Sequence, residues 1–197
     1  MRNSAMSGLD LYLPLRFGRA IVPFALMAVL AWGAVPSRRD LAAGAKLRLE
    51  TLAFRAEGFI PGRYTCSGAN VSPALRWNDV PAGTRSFALI VTDPDAPART
   101  WVHWVVFNLP PGARSLPERV PKEDEMPGGG VQGVNDFHFA GYGGPCPPPG
   151  KPHRYFFRLY ALNIRLSLKP GSTREEVRRG MKGHVLAEAA LVGRYGR

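Results

Sequence analysis

Residues 86–92 read SFALIVT and run directly into the turn Asp93-Pro94-Asp95-Ala96-Pro97; residues 102–108 read VHWVVFN and stop at Pro110-Pro111. Both runs are short, apolar and rich in β-branched or aromatic residues, and both are closed by turn residues, so each predicts a strand. Working outward, residues 154–162 (RYFFRLYAL) give a third strand, long and aromatic. Residues 46–52 (KLRLETL) alternate apolar and polar, the pattern of a half-buried strand. Nothing between these runs is long and periodic enough for a crossover helix. An all-β antiparallel sandwich follows, rather than an α/β fold. Helix is expected only near the C-terminus. Ser172 and Thr173 stand three residues before Glu175 and Glu176, which offers two registers of a capping box and predicts a helix through Met181, ended by Gly183. The Ala- and Leu-rich residues 184–192 (HVLAEAALV) predict a second short C-terminal helix.

The remaining composition suits one domain. The chain has 197 residues, 45% of them hydrophobic and 21% charged, which excludes a coiled coil, a collagen and a disordered chain. Residues 1–45 stand apart from the rest. Arg16 and Arg19 precede an apolar run, Ala20 to Val35, and small residues follow at Gly33, Ala34 and Ala42 to Ala45. Basic flank, apolar run and small-residue exit make a secretory signal or, uncleaved, a membrane anchor. The folded domain is therefore 46–197, and the expected location is periplasmic, secreted or membrane-anchored. The net charge of +11 falls to +8 in the domain, where 21 basic residues face 13 acidic ones. Those charges are scattered, with no basic stripe interleaved with aromatics, so nucleic acid is not the expected partner. The one cluster, Arg174, Arg178, Arg179 and Lys182, fits a solvated helix face, with contact to anionic lipid as the sharper reading.

Two segments carry candidate chemistry. Asp93 and Asp95 leave one strand in a turn stiffened by Pro94 and Pro97, and Trp101 and His103 open the next. A carboxylate beside an imidazole fixes its tautomer; the plainer role of the aspartates is to cap turn amides. The second segment is Gly141–Pro152 (GYGGPCPPPGKP), followed by His153-Arg154-Tyr155. Glycines there let a ligand approach successive amides, which can cradle an anion. Pro117–Gly133 (PERVPKEDEMPGGGVQG) reads as a mobile surface loop. There is no H-E-x-x-H or G-x-S-x-G pattern and no cofactor fingerprint, so neither an enzyme nor a cofactor is expected. Two histidines and two aspartates nonetheless leave a metal-dependent hydrolase as the alternative reading.

Taken together, DPDAP at 93–97, WVHW at 101–104, GYGGPCPP at 141–148 and HRYFFRLYAL at 153–162 resemble the phosphatidylethanolamine-binding protein family, most closely its bacterial Raf-kinase-inhibitor-like branch. YTCSG at 64–68, VSPAL at 71–75 and MKGHVLAEA at 181–189 extend the resemblance over most of the chain. The resemblance implies a Greek-key β-sandwich with a small anion pocket, phosphate-bearing head groups as ligands and, in some members, inhibition of a kinase or protease. It places the pocket on Asp93, Asp95, Pro97, Trp101, His103, Gly144, Pro145, His153 and Tyr155. Val102 departs from the pattern, standing where animal members carry a second histidine. His103 and His153 are expected to donate to a phosphate. The aspartates would repel it unless they orient the histidines or meet an ammonium group, so a phosphoethanolamine-like zwitterion is the expected ligand. Cys66 and Cys146 flank this pocket; an exported chain permits a bridge between them, and two buried thiols fit equally well.

Overall fold

The structure is a computed structural model that describes residues 46–197. The expected export or anchoring segment, residues 1–45, lies outside the described residues. Two antiparallel sheets face each other. The smaller joins β1 (Arg48–Glu50), β2 (Leu75–Asn78) and β5 (Ser115–Leu116) in the order β1-β2-β5. The larger joins β3 (Ser86–Asp93), β4 (Trp101–Leu109), β6 (Val131–Gln132), β7 (His153–Leu162) and β8 (Val185–Tyr195) in the order β6-β4-β3-β7-β8. All four runs singled out in the sequence contain strands, the 46–52 run only over Arg48–Glu50.

Between the sheets, Leu49, Leu75, Trp77 and Leu116 meet Phe87, Leu89, Val91, Trp104, Phe157 and Leu159. The opposite face of the larger sheet is covered as well. There Ala88, Ile90, Val105 and Phe107 pack under Val177 and Met181 of the helix α1 (Arg174–Met181) and under Leu166. This two-sided burial explains why β3 and β4 read as continuous apolar runs while β7 and β8 alternate. The capping box forms in one of its two registers: Thr173 accepts from the Glu176 amide, and Glu176 accepts from the Thr173 amide.

Two expectations are corrected. Residues 184–192 are not helical; His184 is in a turn and residues 185–192 lie in β8, which pairs with β7 from Leu162↔Val185 to His153↔Tyr195. Ala and Leu favour helix only weakly. Here pairing along the ten-residue edge of β7, which would be open without β8, and the burial of Ala189 and Leu191 outweigh that preference. The 117–133 segment is the exposed surface loop expected, but it is anchored at several points rather than free. Val120 and Met126 are buried, β6 pairs with β4, and Nε2 of the Gln132 side chain donates to the carbonyls of Pro121 and Glu123.

Candidate functional site

A local irregularity in the β3–β4 ladder builds the site. Val91 pairs with Trp104, but the next pairs are Thr92↔Val102 and Asp93↔Trp101. His103 is thus the extra residue of a β-bulge, a feature that re-aims side chains. Without it Val102 would stand opposite Asp93; with it Trp101 does. Both Trp101 and His103 then border the cavity that Asp93 borders. On the other side of β3, Thr92 pairs with Phe156, so Tyr155 follows in register beside Asp93, and His153 is two residues further along the same face.

The cavity has a volume of about 190 Å³. Its polar wall is Asp93, His103 and His153, and its apolar wall includes Ala96, Pro97, Trp101, Phe137 and Pro147. Asp93 is buried and doubly engaged. Oδ2 lies 2.8 Å from Nδ1 of His153, and Oδ1 accepts the Asp95 amide at 2.8 Å. A carboxylate can only accept from Nδ1–H, so the His153 tautomer is fixed and Nε2 is its nitrogen without a protein partner. His103 is fixed in the same way: Nδ1 donates to the carbonyl of Gly143 at 2.6 Å. Burial pushes the His103 imidazole below its ordinary range, against the opposing pull of the Gly143 carbonyl and Asp93. At neutral pH its Nε2 is therefore an acceptor, not the donor expected from the sequence. Two polar atoms here are buried without a partner, Nε1 of Trp101 and the hydroxyl of Tyr155. The Tyr155 hydroxyl lies near Asp93 without a well-formed hydrogen bond; burial first, and then that carboxylate, hold it above the usual phenol range.

The other expected residues sit one layer back. Asp95 turns away from the cavity to Arg154, accepting from its amide (2.9 Å), Nε (2.9 Å) and Nη2 (2.7 Å). These bonds hold the Asp95 carboxyl down to about 2 against the opposing effect of burial. The Gly141–Pro152 loop offers no cradle of amides at its glycine pair. The Gly143 amide donates to the His103 carbonyl and the Gly144 amide to Oδ1 of Asn70. The glycines serve packing instead. A Cβ on Gly144 would press on the Tyr64 carbonyl and lie 2.7 Å from Oδ1 of Asn70, and one on Gly143 would collide with the ring of Phe137. Pro145 accepts the Cys66 amide, and a disulfide joins Cys66 to Cys146, whose residue forms part of the cavity wall.

Phe137 escaped the sequence reading. It meets Trp101 and His103 edge-on, with ring centroids 5.5 and 5.4 Å apart. Nothing in its own neighbourhood marks it, although the glycine at 143 that admits its ring was a visible sign. Asp136 beside it accepts the Val102 amide at 2.7 Å and both terminal nitrogens of Arg99 at 2.9 Å, which fixes the start of β4. Among the described residues, no three His, Cys, Asp or Glu side chains are grouped to hold a metal ion. Asp93, Asp95 and the Nδ1 atoms of both histidines already have protein partners, so the geometry does not favour the metal-hydrolase alternative.

Comparison with known proteins agrees with this architecture. The family model described as phosphatidylethanolamine-binding protein matches residues 50–196. A UPF0098 protein of Methanothermobacter thermautotrophicus is 54% identical over 151 residues, which span 77% of this chain and 99% of that protein. Another from Aquifex aeolicus is 48% identical over 158 residues, 79% of this chain and 92% of that one. Among solved structures, a phosphatidylethanolamine-binding protein homologue from Chlamydia trachomatis is 39% identical with a TM-score of 0.71. YbcL of E. coli, described as a member of the mammalian family, is 35% identical with a TM-score of 0.73. Each comparison covers 78% of this chain and 99% of the other. The chain belongs to the phosphatidylethanolamine-binding protein family, in its bacterial branch.

Proposed function

We propose that the cavity binds a small phosphate-bearing zwitterion of the phosphoethanolamine type. The observation that carries this reading is the buried Asp93–His153 pair, set in an otherwise aromatic and proline-rich wall. The cavity, about 190 Å³ in volume, is on the scale of a small head group. The available atoms suit both ends of a zwitterion. Nε2 of His153, which has no protein partner, becomes a donor for a phosphate oxygen when protonated. Neutral His103 offers Nε2 as an acceptor for an ammonium, with Trp101 and Phe137 presenting aromatic surface to the same cation.

The role is binding rather than catalysis. Cys146 in the cavity wall is closed in its disulfide, and the nearby Tyr155 hydroxyl is buried and keeps its proton. That disulfide also supports export, since such bonds persist in oxidising compartments. Crystals soaked in phosphoethanolamine test the assignment: the phosphate is expected within hydrogen-bond reach of Nε2 of His153. Density for the ligand elsewhere, or none in the cavity, contradicts it.

A further inference from the structure

A second cleft lies on the opposite face of β3. Successive strand residues point to opposite faces, so Thr92 faces away from the cavity that Asp93 borders. Thr92 lines a hollow of about 360 Å³ between the outer face of the larger sheet and helix α1, together with Thr100, Arg158, Tyr160, Arg174, Arg178 and Glu188. The strands bring Arg158 opposite Ile90 and Tyr160 opposite Glu188. Arg174 and Arg178 stand four residues apart on α1 and so share one helix face.

Three arginines from two successive elements, β7 and α1, thus line one hollow. Like charges four apart on a helix cost stability, and a merely solvated face would turn them outward. Arg174 is instead mostly buried, its side chain 19% exposed, while Arg178 is exposed at the rim of the hollow. The carboxylates available are too few to neutralise the group. Glu188 lies 3.6 Å from Nε of Arg158, and Glu175 lies 3.5 Å from Nε of its chain neighbour Arg174. Among the described residues no carboxylate pairs with Arg178. Arg158 is held in place by the ring of Phe156, 4.5 Å away, and by the Thr92 hydroxyl at 3.2 Å. Tyr160 adds a phenol whose proton is retained, because burial and Glu188 together outweigh the opposite influence of the arginines. Planar guanidiniums beside hydroxyl donors match the oxygens of a phosphate better than those of any neutral ligand.

We infer that this cleft is a second anion site, which takes a phosphate or phosphomonoester dianion through Arg158, Arg174 and Arg178. It stands apart from the Asp93–His153 cavity and does not depend on the function proposed for that cavity. Part of the basic cluster seen in the sequence is thereby accounted for: Arg174 and Arg178 line the cleft, whereas Arg179 and Lys182 do not.

The test measures binding of inorganic phosphate to the full-length protein by equilibrium dialysis, in a His153→Ala background that disables the first cavity. Saturable binding of one equivalent is expected. Combined Arg174→Gln and Arg178→Gln substitution should weaken it at least tenfold, with circular dichroism unchanged. Glu188→Gln, which removes the competing carboxylate, should strengthen it several-fold, a gain that misfolding cannot imitate. Absence of saturable binding in the His153→Ala background, or indifference to both the arginine and the Glu188 substitutions, overturns the inference. A parallel arm identifies the source of the phosphate. Sedimentation with phosphatidylcholine vesicles containing phosphatidic acid, lost in the arginine variant, assigns the site to a lipid head group; phosphate binding without sedimentation assigns it to a soluble ester.

Discussion

Oδ2 of Asp93 stands 2.8 Å from Nδ1 of His153, with both side chains almost withdrawn from solvent. The aspartate comes from the end of β3 and the histidine from the start of β7, so a single contact orients the ring that faces the cavity. Asp93→Asn removes the charge while keeping the shape. The amide oxygen can still receive Nδ1–H, but the amide nitrogen can instead donate to Nδ1 and drive the proton to Nε2. Nitrogen NMR of the His153 ring should report a single Nδ1–H tautomer in the neutral parent and a mixed or inverted population in the variant. An unchanged tautomer would show that Asp93 does not govern the ring.

Asp95 contributes to acid stability rather than to the cavity. Its carboxyl is held at about 2 by Arg154, below the ~3.9 of an unfolded aspartate. A depressed folded value means that the contribution is present above about pH 4 and is lost as pH falls toward about 2. Because Arg154 is half exposed, solvent screening keeps the effect near 1 kcal/mol. Urea titrations at pH 5 and pH 2.5 should show Asp95→Asn losing about that much less stability than the parent on acidification. Equal acid sensitivity in the two proteins would remove this role from Asp95.

Gly144 is fixed by crowding and not by a ligand. An added methyl would press on the Tyr64 carbonyl and lie 2.9 Å from Cα of Thr65. Gly144→Ala should therefore cost about 1–3 kcal/mol, as over-packing does, and loosen the hydrogen bond to Asn70. Chemical denaturation decides this; a neutral substitution would mean that the Gly141–Pro152 loop yields easily.

The Cys66–Cys146 disulfide closes a loop with a sequence separation of 80. Its removal in a Cys66→Ser, Cys146→Ser double variant should cost about 2–4 kcal/mol and weaken ligand binding, since Cys146 is part of the cavity wall. Melting curves with and without reductant should reproduce the loss in the parent and show none in the variant. A parent indifferent to reductant would speak against the bridge.

How much of this was legible from the sequence depends on where each property is decided. The strands at 86–93, 101–109 and 153–162 are dense in β-branched and aromatic residues, and local pattern sufficed to find them. Asp93 and His153 were readable as a turn carboxylate and a histidine after a Gly/Pro loop, though not as partners, since 60 residues separate them. β8 was misread because its Ala- and Leu-rich composition favours helix locally, whereas its state is set by β7 alongside it. The part played by His103 was half visible. Its presence at the strand entrance was plain, but the bulge that turns it and Trp101 toward Asp93 exists only in the pairing of two strands. The engaged amides of Gly143 and Gly144 were equally hidden, because their acceptors, the His103 carbonyl and Asn70, lie far away in the chain.

The central claim, that the Asp93–His153 cavity takes a phosphoethanolamine-like zwitterion, is tested most directly by calorimetric titration of that compound into the parent and into an Asp93→Asn, His153→Ala double variant. The account predicts saturable binding of one equivalent by the parent and at least a tenfold weaker affinity in the variant, with the fold intact by circular dichroism. Equal affinity in the two proteins, or no saturable heat from the parent, would contradict it.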